Sequence, residues 1–129
     1  MKMENMQDVF KNELFDIYSA EQQLLKALKE MAGKAEHEEL IDAFEMHRKE
    51  TQGQIERLDR VIDMLDFDME REDCEAMEGL VEEGKQLMEN IAKGPVLDAA
   101  MITAAQKSEH YEIASYGTAR AWAHQMGYD

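Results

Sequence analysis

Cysteine and proline each occur once in the 129 residues, at Cys74 and Pro95, and glycine only seven times. A lone thiol excludes an intramolecular disulfide and any four-thiolate iron or zinc centre, so a rubredoxin-type electron-transfer module is ruled out. With so few breakers, and with Glu, Lys, Leu, Ala, Met and Gln abundant, intrinsic preference is helical almost throughout. Strands have little to build on. Positive charge is scarce too: 14 basic residues stand against 29 acidic ones, a net charge of −15. Such a field repels phosphate backbones and anionic lipid while concentrating cations, so neither nucleic acid nor membrane is an expected partner. Acidic runs such as residues 36–39 read first as solvated helix surface. No apolar run approaches the ~20 residues that span a bilayer, and the first residues lack the basic-then-apolar pattern of a leader. A cytoplasmic location is expected.

The length suits one domain with one core, over residues 1–129. Four helices are predicted, over about 5–32, 36–66, 73–93 and 95–126. The first opens at Asn5, an N-cap with Asp8 three residues on, and stops at Gly33. A very short connection makes the second helix its antiparallel partner. The charged stretch from Phe67 to Asp73 breaks the pattern. Asp73 can then cap a shorter crossover helix with Cys74, Met77, Val81, Gly84, Met88 and Ile91 on one face. Gly94 and Pro95 mark the last start, and Gly127 the end. The fold class is an all-α antiparallel bundle with a short crossover helix.

Chemistry shows where the apolar seams are interrupted. In the first helix Phe10, Leu14, Ile17, Glu21, Leu24, Leu28 and Met31 follow steps of four and three, all on the core stripe. Glu21 is the exception, and a lone carboxylate in a bundle core costs several kcal/mol unless neutralised, paired or metal-bound. The second seam, Leu40, Phe44, His47, Thr51, Gln54, Leu58, Val61 and Leu65, is polar in its middle, with Glu50 flanking. Measured from the first turn, Glu21 and His47 to Glu50 lie at about the same height, roughly 20 Å along each axis. The last seam, Leu97, Met101, Ala105, Ser108, Glu112, Ser115, Ala119, Trp122 and Met126, is again interrupted midway, and Glu109 precedes Glu112 by one turn. Carboxylates crowded in a low dielectric repel unless a cation joins them.

Each residue also has a plainer reading. A polar residue on a seam is ordinarily an edge residue, and His47 could be a core histidine donating to a carboxylate. Thr51 and Gln54 suit hydrogen-bonded packing around a site rather than ligation. His110 points off the Glu109/Glu112 face. Tyr18 and Tyr116 are packing residues first and ligand-orienting donors second. The eleven methionines are adaptable core filler and Cys74 a small buried residue. The coincidence of level across three helices favours metal.

The strings Tyr18-Ser-Ala-Glu21, His47-Arg-Lys-Glu50-Thr51 followed by Gln54, Cys74-Glu-Ala-Met-Glu-Gly79-Leu80, and the run from Ala104 to Gly117 resemble the YciF-like stress-response family. The likeness covers essentially the whole chain in order. It implies a ferritin-like, rubrerythrin-like bundle, usually dimeric, with a di-iron centre. Glu21, Glu50, Glu109 and Glu112 then correspond to carboxylate ligands, and His47 to a nitrogen ligand. Such bundles commonly carry Glu-x-x-His on two helices, whereas the second helix here has the reverse, His47-x-x-Glu50, with Gly53 where that histidine would stand. Family members also look longer, so a final core helix is expected to be absent from this chain. An uncovered apolar face drives association, and a homo-oligomer, a dimer first, is expected.

The expected function is oxidation of Fe(II) by dioxygen or peroxide at a two-iron site, with manganese able to substitute and hard oxygen ligands stabilising the ferric state. The alternative is a non-catalytic structural or interaction protein whose polar core layer fixes helix register and binds no metal.

Overall fold

Three of the four helices begin at a residue whose side chain caps the first turn. In the computed structural model, which describes residues 2–68 and 73–128, α1 spans Met6–Lys34, α2 Glu38–Met64, α3 Glu75–Asn90 and α4 Pro95–Gln125. No strand occurs among the described residues. The Asn5 side chain accepts from the Asp8 backbone N–H at 2.9 Å, satisfying one of the donors a helix start leaves orphaned. Gly33 does not end α1. The helix continues to Lys34, and Gly33 is not among the positive-φ residues. The turn into α2 is held from outside instead. Asp98 of α4 accepts from Glu36 N at 2.9 Å and from His37 N at 3.0 Å, while His37 Nδ1 caps α2 by accepting from Glu39 N.

The start of α3 also differs from expectation. Cys74, not Asp73, is the N-cap, its sulfur accepting from Met77 N at 3.4 Å. The helix stops at Asn90 because Ile91 turns extended ahead of the Gly94-Pro95 start. Gly94 sits at φ +156°, a conformation open to glycine, and Pro95 pre-sets the first turn of α4. The charged break expected over Phe67 to Asp73 falls partly on residues 69–72, outside the described residues.

Helix α1 is the spine, packed against α2, α3 and α4. Every residue of its predicted seam is buried. One apolar cluster, with Leu24, Leu28, Met77, Leu97 and Met101, joins α1, α3 and α4. Another, with Phe10, Leu14, Phe15, Leu58, Ile62 and Ala119, joins α1, α2 and α4. Burial of each large apolar side chain stabilises by about 1.5–3 kcal/mol. In the second half of α2 the buried stripe is Ile55, Leu58 and Ile62, whereas Val61 is 37 % exposed. A stripe of alternating fours and threes drifts by roughly 20° per heptad on a straight helix, which turns Val61 off the core. Between the clusters the buried residues are polar: Glu21, Thr51, Ser108, Glu112 and Ser115. No helix among the described residues is long and apolar enough to cross a membrane.

Candidate functional site

The polar layer opens into a cleft between α2 and α4, floored by α1 and lined by His47, Glu50, Gln54, Glu109, Glu112, Ile113 and Tyr116. Glu21 enters from α1, fully buried. The Tyr116 hydroxyl donates to Glu21 Oε2 at 3.0 Å. With its amide nitrogen turned toward the acids, Gln54 donates to Glu112 Oε2 at 3.2 Å and also to Glu21 Oε2. Glu21 Oε1 is buried with no hydrogen-bond partner among the described residues. Burial first, and then the hydrogen bond and charge of Glu112, push the Glu21 carboxyl up to about 9, partly opposed by Tyr116. A proton held on Glu21 relieves its repulsion with the charge of Glu112.

His47 bridges two acids of α4. Its Nε2 lies 3.3 Å from Glu112 Oε1 and its Nδ1 3.5 Å from Glu109 Oε1. The hydrogen bond with Glu112 raises the imidazole above its ordinary value against the opposing effect of burial, with help from the charges of Glu112, Glu109 and Glu50. Burial pushes the Tyr116 phenol upward, and the Glu21 charge adds to this.

Four of the five predicted site residues therefore meet: Glu21, His47, Glu109 and Glu112. Glu50 is exposed at the rim, near enough to act on His47 but without a hydrogen bond or ion pair among the described residues. Thr51 turns its hydroxyl to His47 O at 2.8 Å, a bond within its own helix. His110 faces away, bonded to Gln106 O. Tyr18 lies beside Asp59 and not Glu21. Gln54 is more central than its seam position suggested, because its turned amide reaches both Glu21 and Glu112.

A second polar group sits on the other side of α1. The Tyr111 hydroxyl donates to Asp16 Oδ2 at 2.6 Å, and Cys74 Sγ lies 3.0 Å from Tyr111 Oη. Ser19 Oγ accepts from Cys74 N at 2.9 Å. Nothing in one sequence pairs residues so far apart on different helices.

The donors of the cleft fit hard or borderline cations in kind: carboxylate oxygens, one imidazole and an unpartnered buried oxygen. Their present partners are one another. Among the described residues, no three His, Cys, Asp or Glu side chains form a group that could hold a metal ion.

These observations define an all-helical bundle protein with a mid-height layer of acids gathered from three helices. The chain belongs to the family described as a domain of unknown function, DUF892, which matches residues 5–129. It is 50% identical over 129 residues to Protein YciF of Escherichia coli (strain K12), covering 99% of this chain and 78% of that one. The crystal structure of the E. coli stress protein YciF superposes with a TM-score of 0.93 over 98% of this chain and 80% of that one. YcfI from Rhodopseudomonas palustris, provisionally described as a structural protein, is 44% identical with a TM-score of 0.95, over 99% and 82% of the two chains.

Proposed function

We propose that the cleft is a two-iron site of ferritin-like type, with Glu21, Glu50, Glu109 and Glu112 as oxygen donors and His47 as the nitrogen donor. Manganese suits the same oxygen-rich set. When bound, the metal pair supplies electrons to dioxygen or peroxide as Fe(II) is oxidised. The observation that carries this reading is Glu21 Oε1, a buried acid oxygen that no donor among the described residues reaches. Buried carboxylates are ordinarily satisfied, and an orphaned one beside a second acid is where a cation relieves most repulsion.

The surrounding residues prepare that exchange. Tyr116 and Gln54 hold Glu21 Oε2 in place, so Oε1 remains the free lone-pair donor. The proton that burial holds on Glu21 leaves when a cation arrives, which makes loading release protons and favours it at higher pH. His47, tied to Glu112 and Glu109, must deprotonate to ligate, adding to the same dependence. Met46, Met64 and Ile113 are exposed on α2 and α4, and we read the working unit as a dimer.

A second reading has its own support: the acids and His47 pair with one another and Gln54 links two of them, as in a layer that fixes helix register. The provisional structural label of the R. palustris relative points the same way. Elemental analysis of protein purified without chelator, beside Glu21→Ala and Glu112→Ala, separates the readings. About two irons per chain, lost in both variants, supports the metal site. Less than one metal per chain after iron is added back, unchanged by the substitutions, leaves the structural role.

A further inference from the structure

Glu112 has a nitrogen beside each of its oxygens. His47 Nε2 stands 3.3 Å from Oε1, and the turned amide of Gln54 stands 3.2 Å from Oε2. Each of these side chains also reaches a second acid. His47 Nδ1 lies 3.5 Å from Glu109 Oε1, and the Gln54 amide donates to Glu21 Oε2. Two residues of α2 are therefore set between three acids of α1 and α4, with Glu112 common to both bridges. An N–H group between two carboxylates does there what a cation would do, drawing both acids toward one point of positive potential. Glu21 Oε1 stays outside the arrangement, buried and with no donor among the described residues.

Gln54 differs from the other members of the cleft in what it can become. Amide oxygen and nitrogen are nearly alike in size, and half a turn about the terminal torsion of a glutamine exchanges them without moving the backbone. With nitrogen inward the side chain is a donor that two carboxylates share. With oxygen inward it is a hard, neutral carbonyl ligand of the kind that manganese accepts. The exchange also releases Glu112 Oε2 and Glu21 Oε2 together, the two atoms that the amide nitrogen holds. It adds an oxygen without adding charge: the four carboxylates Glu21, Glu50, Glu109 and Glu112 already balance two divalent cations. A fifth carboxylate at position 54 would crowd the metal-free layer with one more like charge. We propose that Gln54 serves the cleft in two orientations, its amide N–H clasping Glu21 and Glu112 in metal-free protein and its carbonyl oxygen turning inward as a ligand when metal binds. This inference rests on the two-iron reading of the cleft and adds to it a ligand and a metal-free clasp.

The test uses the full metal-free chain and Mn(II), whose free form is counted by electron paramagnetic resonance, beside Glu21→Ala and three changes at position 54. Gln54→Leu removes both roles, so its urea midpoint should fall and its Mn(II) affinity should drop roughly tenfold or more. Gln54→Glu keeps an inward oxygen but has no N–H. Its urea midpoint near neutral pH should fall at least as far, while its Mn(II) affinity stays within about threefold of the parent or rises. Gln54→Asn, one methylene too short to reach both acids, should follow Gln54→Leu in affinity. If Gln54→Glu unfolds without metal, Mn(II) should restore its helical circular dichroism signal, and failure to do so overturns the proposal. Mn(II) bound by the parent and lost in Glu21→Ala, but held as tightly by Gln54→Leu, overturns the ligand role and leaves the two-iron reading standing. Equal losses of affinity in Gln54→Leu and Gln54→Glu assign Gln54 to hydrogen-bonded support alone and overturn it too. Unchanged urea midpoints remove the clasp. No Mn(II) bound by the parent takes away the two-iron reading, and this inference with it.

Discussion

Tyr116 and Glu21, 95 positions apart, meet at 3.0 Å across the junction of α1 and α4, and the bond reaches only one of the two carboxyl oxygens. The other is buried, with no donor among the described residues. An acid so placed holds its proton well past neutrality, and the first prediction concerns what that does to stability.

Glu21 is raised from its ordinary 4.5 to about 9. Between those values the folded chain keeps a proton that the unfolded chain has released, so stability falls as pH rises across the window. Urea melts of metal-free protein at pH 5 and pH 9 should show this loss. In Glu21→Gln the loss should shrink by an amount on the order of a few kcal/mol. Parallel behaviour of the two proteins would refute the assignment.

His47 is raised chiefly by its hydrogen bond with Glu112. Its stabilising contribution is full below the ordinary imidazole range and is lost as pH rises through the elevated value. Proton NMR of the imidazole in metal-free protein should show a midpoint above about 6.5. Glu112→Gln should lower that midpoint more than Glu109→Gln does. The reverse order would mean that Glu109 is the dominant partner.

Asp98 joins the start of α4 to the α1–α2 turn through two backbone donors. Asp98→Ala leaves both N–H groups unsatisfied in a part-buried setting, a cost of about 2–4 kcal/mol. Thermal melts should show a clear drop, with Asp98→Asn losing less because one acceptor remains. A change within about 0.5 kcal/mol would show that water replaces the carboxylate there.

Cys74 is fully buried, and burial pushes its thiol upward. The thiolate is the reactive form. An aromatic disulfide reagent at neutral pH should therefore label the native chain far more slowly than the urea-unfolded chain. Rapid native labelling would indicate that the start of α3 opens readily.

The helices and most of the buried layer were legible because period and chemistry coincide. Along α1 every seam position is buried, Glu21 included, since this helix packs against all three of the others. On α2, which packs chiefly against α1, the stripe drifted and Val61 turned outward. Level counting along the helices anticipated that Glu21, His47, Glu109 and Glu112 share a height. It could not anticipate rotamers, and so missed that Gln54 reaches two acids at once. The Asp98 clasp and the Tyr111 bond to Asp16 were invisible for a different reason: each depends on which helix lies beside which, and that is decided by the whole packing.

Phe10 stacks on Tyr128 beyond the end of α4 and meets Phe67 edge-on beyond the end of α2. At the opposite end of the molecule, Asp98 holds both helix starts to the same turn. The two walls are thus beams clamped at each end, and what spans the gap at mid-length is a set of hydrogen-bonded side chains. Charge gained or lost at mid-length therefore falls on that bridge of side chains, while the aromatic and aspartate contacts lie at the helix ends.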